Sequence, residues 1–209
     1  MKKIIIAIDG TAGSGKSSLA KALAKKLNYK YIDTGAMYRF LTYHVIKRGI
    51  KNKKDIIDLA KHLKISMRNL QTDKIRIPEV SNMVSKIAAI KGVRVCMVNH
   101  QRELAKKGGA IVEGRDIGTV VFPDADIKFF MTAGVDERSK RRYKELMQKG
   151  IKVQKDAVEE NLVSRDAKDS SRKVSPMKPA KDAIVIDTTR LTIPQKNNLA
   201  LKYIKQYVL

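Results

Sequence analysis

The run Gly10-Thr11-Ala12-Gly13-Ser14-Gly15-Lys16-Ser17 follows the pattern GxxxxGK[ST]. Glycines at this spacing let backbone N–H groups curl around an anion. The lysine can then reach the outer oxygens of a polyphosphate, and the Ser17 hydroxyl can ligate a magnesium ion. Ser18 adds a second hydroxyl at the same place. The chemistry implied is the holding of a nucleoside triphosphate by Gly10, Thr11, Ala12, Gly13, Ser14, Gly15, Lys16, Ser17 and Ser18. The pattern carries that meaning only when a strand precedes it and a helix follows, because the helix N-terminus supplies part of the favourable field.

Both elements are expected from the flanking residues. Lys3 to Ile8 is rich in β-branched side chains and stops at Asp9-Gly10, as a strand covered on both faces does. After Lys16, Leu19, Leu23 and Leu27 recur at helical spacing, with Ala20, Ala22 and Ala24 supporting the helix. A dinucleotide-binding reading fails, since Ser18 stands where GxGxxG needs its third glycine. Asn52-Lys53-Lys54-Asp55 mimics a guanine-reading NKxD, but it precedes most of the strands and has no DxxG before it, so it reads as a solvated helix start.

Further along, Tyr31 to Asp33 predicts a short strand, with Thr34 capping a helix from about Met37 to Lys47 that ends at Gly49. Residues 55–63 predict a helix, and Ile65 to Arg68 with Lys74 to Ile77 predict a small hairpin. Val80, Val84, Ile87 and Ala88 predict another helix, and a further one runs to about Lys107, where Gly108-Gly109 breaks it. Ala110 to Val112, Ile127 to Met131 and Ala183 to Ile186 are short apolar strand candidates. A C-terminal helix from near Pro194 is expected to turn Leu199, Tyr203 and Ile204 inward. Strands alternating with helices imply an α/β chain with a central parallel sheet, its ligands bound beyond the carboxyl ends of the strands.

Composition narrows the class. The 209 residues are 43% hydrophobic and 31% charged, enough for one sizeable core. Cys96 is the single cysteine, which excludes an intramolecular disulfide and a multi-cysteine zinc site, fits a reducing compartment, and reads as a core residue. The apolar stretch from Ile4 to Ile8 is too short for a signal-peptide core, and no run suits a membrane helix. A cytoplasmic location is expected. Forty-four Lys plus Arg against 21 Asp plus Glu give a net charge of +23. With four Phe and no Trp there are few stacking platforms for single strands, so a phosphate-handling site on a solvated basic surface is favoured over nucleic-acid binding.

Two more segments carry the decision on the reaction: Asp33-Thr34-Gly35-Ala36-Met37-Tyr38-Arg39, and Glu113-Gly114-Arg115-Asp116-Ile117-Gly118-Thr119-Val120-Val121-Phe122-Pro123-Asp124-Ala125. They closely resemble the two signature segments of bacterial cytidylate kinases, P-loop nucleoside monophosphate kinases. The resemblance covers essentially the whole chain, including Ser85, Arg94 and the run Arg165-Asp166-Ala167-Lys168-Asp169-Ser170-Ser171-Arg172. It implies a three-layer P-loop kinase fold, with core segments at about 1–50, 78–135 and 183–209. It also implies a small monophosphate-binding insertion at about 51–82 and a mobile helical lid at about 136–176.

The activity implied is transfer of the γ-phosphoryl group of ATP to CMP or dCMP with Mg²⁺. Carried over by position, Arg39 and Arg115 grip the acceptor phosphate, while Ser85, Arg94 and Asp116 face the cytosine. Thr34 and Tyr38 belong to the acceptor site. Arg165 and Asp169 contact the sugar and nearby phosphates, Arg172 orients the base pocket, and Arg141 and Arg142 approach the transferring phosphoryl. Lys16, Arg115, Arg141 and Arg142 form the catalytic set. Arginines suit such bidentate phosphate recognition better than lysines. Glu113, after three apolar residues, is either a carboxylate acting on Mg²⁺ through water or a structural hydrogen-bonding group to the loop. The partners expected are ATP and CMP or dCMP, with no specific nucleic acid, no membrane, and a monomeric chain. Competing readings are a kinase for another nucleoside monophosphate and an RNA-associated P-loop ATPase.

Overall fold

A computed structural model describes residues 3–148 and 150–208. The first apolar run forms β1 (Ile5–Gly10), and the Leu-Ala pattern after the glycine loop forms α1 (Lys16–Leu27). There follow β2 (Lys30–Asp33), α2 (Thr34–Lys47), α3 (Lys53–His62), a 3₁₀ turn (Asp73–Arg76), α4 (Pro78–Ala88) and α5 (Lys91–Ala105). The chain then returns through β3 (Ala110–Glu113), a π-helical turn (Ile117–Val121), β4 (Ile127–Thr132), α6 (Val135–Gln148), α7 (Lys155–Ser170), β5 (Ile184–Asp187) and α8 (Ile193–Val208).

The five strands lie in the order β2-β3-β1-β4-β5. β1 is parallel to β3, with Ile6 opposite Ile111, and to β4, with Ile8 opposite Phe129; β4 is parallel to β5, with Met131 opposite Ile186. The expected α/β architecture, helices packed on a central parallel sheet, is therefore the one found. Because the registered pairs are parallel, Gly10, Glu113 and Thr132 end their strands on one edge, where open α/β sheets bind ligands. Leu19 and Leu23 of α1 and Ala200 and Ile204 of α8 pack with Ile6, Ile8 and Phe129 in one apolar core.

Internal packing divides the chain into two compact units: residues up to Tyr31 together with those from Gly109 onward, and Ile32–Gly108. In the second unit Met37, Leu41 and Val45 of α2, Ile56 and Leu59 of α3, Val80 and Val84 of α4, and Val93 and Met97 of α5 are buried, each set at the three- and four-residue spacing of a single helix face.

Four local expectations are corrected. No hairpin forms across 65–77: Thr72 accepts a hydrogen bond from Lys74 N and winds the chain into the 3₁₀ turn that buries Ile75. Pro78 then opens α4 directly, leaving Ile77 extended and partly exposed. α2 starts at Thr34, not near Met37, because Asp33 is the cap, its carboxylate accepting from Ala36 N at 2.8 Å. In α8 it is Ala200 and Ile204 that turn fully inward. Tyr203 is exposed and meets the edge of Phe129 at 6.5 Å. Cys96 is half-buried rather than fully enclosed.

Candidate active site

The glycine loop runs from the end of β1 into α1 within the first unit. Gly10 has φ +138°, and a Cβ there would lie 1.9 Å from the Met131 carbonyl oxygen, so only glycine lets the loop leave the sheet this close to β4. Thr11 N donates to that same carbonyl at 3.1 Å. Gly15, in the left-handed region at φ +87°, caps α1 without a side-chain bond, which leaves the first-turn N–H groups available to an anion. Ser14 Oγ donates to Thr11 O at 2.9 Å, and Ser17 and Ser18 are exposed at the helix start.

Lys16 is only 7% exposed and reaches back along the loop to donate to Thr11 O at 2.5 Å. Burial, reinforced by the Arg115 charge, pushes its pKa down to about 7, against the opposing pull of Glu113, Asp166 and Asp9. An anion placed against such a lysine would favour its charged form. Asp9, buried at the end of β1, accepts from Ile117 N at 2.8 Å and Gly118 N at 2.7 Å and so ties β1 to the π-helical turn after Arg115-Asp116. Burial pushes its carboxyl up to about 6 despite those two donors, and Asp116 adds to the rise. Glu113 Oε1 accepts from Tyr31 OH at 2.5 Å, which orients the buried carboxylate from the neighbouring strand.

α6 and α7 clasp the loop. Ala12 N donates to Asp166 Oδ1 at 2.9 Å, Arg138 Nη1 donates to Ala12 O at 3.0 Å, and Arg138 and Asp166 form an ion pair with each other. Ala12 also packs with Val158 and Leu162 of α7. Arg141 pairs with Glu137 and donates to both the hydroxyl (3.0 Å) and the carbonyl (2.7 Å) of Thr188. The fully buried Thr188 hydroxyl also lies 3.0 Å from Ser14 O, so Arg141 is one residue removed from the loop. Arg142 instead pairs with Glu145 on its own helix at 2.7 Å.

After β3, Arg115 Nε donates to Asp169 Oδ2 at 2.9 Å and Nη1 donates to Gly114 O at 3.3 Å. Arg172 donates through Nε to Asp169 O at 3.2 Å and lies 3.7 Å from its carboxylate, so Asp169 sits in reach of two guanidinium groups. Asp116 is buried, its carbonyl accepting from Val120 N and Val121 N at the π-helical turn. Arg165 is half-buried on α7. Arg115, Asp169 and Arg172 thus form one charged cluster, Arg115 acts on Lys16 of the loop, and Arg142 is engaged locally.

In the second unit, Thr34 and Tyr38 are buried on α2 and Arg39 is half-buried beside them. Arg94 on α5, 3% exposed, lies over the Tyr38 ring at 5.6 Å and donates to Ala88 O at 3.2 Å, while Ser85 is half-buried on α4. These five residues are assembled from α2, α4 and α5.

Among the described residues no cluster of three His, Cys, Asp or Glu could cage a metal. Magnesium beside a polyphosphate takes mainly phosphate and water oxygens, and the exposed Ser17 hydroxyl at the start of α1 is one protein ligand it could take. Sequence reasoning missed Asp9, Arg138, Asp166, Thr188 and Lys196. Asp166, Thr188 and Lys196 reach the loop across 154 or more residues, a relation no local pattern encodes. No described helix is long and apolar enough to cross a membrane.

Residues 6–206 match the protein family described as cytidylate kinase. Curated relatives named cytidylate kinase include one from Clostridioides difficile (strain 630), 49% identical over 93% of this chain and 95% of its own length. Another, from Lactococcus lactis subsp. lactis (strain IL1403), is 47% identical over 92% of this chain and 93% of its own. Among solved structures, an uncharacterized protein from Eubacterium ventriosum ATCC 27560 superposes with a TM-score of 0.55 at 18% identity, covering 97% of this chain and 98% of that one. A shikimate kinase from Bacteroides thetaiotaomicron superposes at 0.51 and 14% identity, covering 97% and 98%, a likeness of fold alone. With a signature loop built on Gly10 and Lys16, and with 47–49% identity to such relatives across nearly its whole length, this chain belongs to the cytidylate kinase family.

Proposed function

We infer that the chain performs its family's reaction, transferring the γ-phosphoryl group of ATP to CMP or dCMP, with the loop from Gly10 to Ser18 as donor site. The observation that carries this reading is Lys16: buried at the start of α1, pushed down to about 7 by burial and by Arg115, and able to take its full charge from bound phosphate. The family pattern assigns acceptor-nucleotide roles to Arg115, Asp116, Arg165, Asp169 and Arg172 within the first unit and, separately, to Thr34, Tyr38, Arg39, Ser85 and Arg94 within the second.

The acceptor phosphate is already anionic, so no general base is needed. Catalysis is positioning together with stabilisation of charge on the equatorial oxygens of the moving phosphoryl group. Lys16 and Arg115 supply charge there, and Arg141 and Arg142 of α6 reach the same oxygens when both substrates are bound. Ser17 would hold Mg²⁺, which would supply positive charge to the phosphates, and Glu113 would either act on that ion through water or serve as a structural hydrogen-bonding group. α6 and α7 exclude water, so that ATP is transferred rather than hydrolysed. A single thiol and nucleotide substrates fit a cytoplasmic enzyme.

A coupled assay of ADP release against CMP, dCMP, UMP, AMP and GMP tests the reading. CMP and dCMP are expected to be the preferred acceptors by kcat/KM. A preference for AMP or GMP would overturn the assignment.

A further inference from the structure

Lys196, on the first turns of α8, is 4% exposed. Its ammonium donates to Gly15 O at 3.1 Å and to Ser18 Oγ at 2.5 Å, across 181 and 178 residues of chain. Both acceptors are uncharged. A buried ammonium is ordinarily paired with a carboxylate, because taking an ion out of water is costly without a counter-charge. Among the described residues Lys196 has no such partner. The charge that acts on it is Arg141, another cation, and burial together with Arg141 pushes its pKa down to about 8.

Ser18 Oγ in turn donates to Gly15 O at 3.0 Å, so its lone pairs are what accept from Lys196. An ammonium has three protons, and the two contacts account for two of them. An uncompensated cation is thus seated where the glycine loop enters α1, on the residues whose amides and hydroxyls converge on phosphates.

We propose that Lys196 is a further donor-site residue, a cation that binds the α-phosphate of ATP beside Gly15 and Ser18. The proposal rests on the glycine loop being the ATP site. ATP supplies the missing counter-charge, relieves the repulsion from Arg141, and accepts a hydrogen bond from the remaining N–H. Charge builds on the β-phosphate as the leaving group departs, whereas the α-phosphate carries nearly the same charge in ground and transition states, so a contact to the α-phosphate lowers KM for ATP without raising kcat.

The test is steady-state kinetics and calorimetric ADP binding on the full-length wild type, Lys196→Met and Lys196→Gln, with thermal melts alongside. Methionine keeps the length and removes the charge. Glutamine keeps hydrogen-bond donors for Gly15 and Ser18, and it carries the test if the methionine variant does not fold. Expected in both is a rise of roughly ten- to a hundredfold in KM for ATP and Kd for ADP, the loss of one charge-assisted contact. kcat and KM for CMP should stay within about twofold. Unchanged ATP and ADP affinity in variants of a wild type that binds ADP overturns this proposal alone. So does a fall in kcat at constant KM, or a loss in the methionine variant that glutamine restores, which assigns Lys196 to holding the loop's shape. A wild type that does not bind ADP overturns the donor-site reading and this proposal with it.

Discussion

The Ala12 amide and the Asp166 carboxylate, 154 residues apart, are joined by a 2.9 Å hydrogen bond. Arg138 pairs with the same carboxylate and donates to the Ala12 carbonyl, so both backbone polar groups of one loop residue are satisfied by α6 and α7. The ion pair is nearly dry, with side chains 6% and 13% exposed. Its worth lies less in the attraction than in the penalty for leaving either member alone.

Asp166→Ala strands the Arg138 guanidinium in that environment and is expected to lower stability by about 3 kcal/mol. It should also raise KM for ATP, because Ala12 loses its anchor. Asp166→Asn, which still accepts from Ala12 N but carries no charge, should fall between. Urea unfolding with ATP kinetics checks both, and a loss under about 0.5 kcal/mol in the alanine variant would show that the clasp contributes little.

Lys16 has a folded pKa near 7, against 10.5 for an ordinary lysine. Between those values the unfolded chain holds the extra proton, so this group makes stability rise with pH across that window. Bound phosphate favours the ammonium, so at pH 8 ATP binding should take up roughly one proton at Lys16, with Lys196 adding its own fraction. Calorimetry in buffers of different ionisation enthalpy reads the uptake, and Lys16→Met should remove the larger part of it. Lys16→Ala should lower kcat by orders of magnitude while CMP binding changes little, since a preorganised charge at the moving group is worth ~3 kcal/mol or more. A kcat within about threefold of wild type would remove the lysine from the mechanism.

Asp9 shifts the other way, from 3.8 to about 6. The folded state holds the extra proton between those values, so the stability this group contributes is present below 3.8 and is lost as pH rises through 6. Asp9→Asn removes the titration and keeps one acceptor for the two N–H donors of Ile117 and Gly118. The orphaned donor costs roughly 1–3 kcal/mol. The stability gap between wild type and variant should therefore be wider at pH 4.5 than at pH 7. An equal gap at both would mean that Asp9 does not titrate in this range.

The order of elements was legible because it is written locally. Leu19, Leu23 and Leu27 have one spacing, Ile4 to Ile8 another, and glycines mark the breaks. Gly108 and Gly109, at φ +65° and +60°, stop α5 where expected. Local reading failed where two residue types compete for one task. Asp33 outbid Thr34 as a cap because its carboxylate reaches Ala36 N, and the alternation at Ile75 and Ile77 suggested a strand that Pro78 and Thr72 convert into a turn. For the site, the glycine loop is contiguous and could be read whole. Thr188 and Lys196 matter only because β5 and α8 return beside that loop, and nothing in their own neighbourhoods marks them.

Base selection is the remaining question, and Asp116 is where it can be tested. The working hypothesis is that its carboxylate accepts from the exocyclic amino group of cytosine. Uracil has a carbonyl oxygen at that position, so UMP would set two acceptors against each other in a buried place, a loss of roughly 1–3 kcal/mol. Asp116 is 5% exposed, which keeps water from rescuing the mismatch. The plainer role for the residue is to hold Arg115, yet Arg115 already donates to Asp169 and to the Gly114 carbonyl, an orientation that does not require Asp116. CMP should therefore be preferred over UMP by kcat/KM. Asp116→Asn should narrow that preference, because the amide can donate to the uracil oxygen. If Asp116 only supported Arg115, both substrates would weaken together. Measuring kcat/KM for CMP and UMP in the two proteins separates the roles, and an unchanged ratio would take Asp116 out of the specificity site.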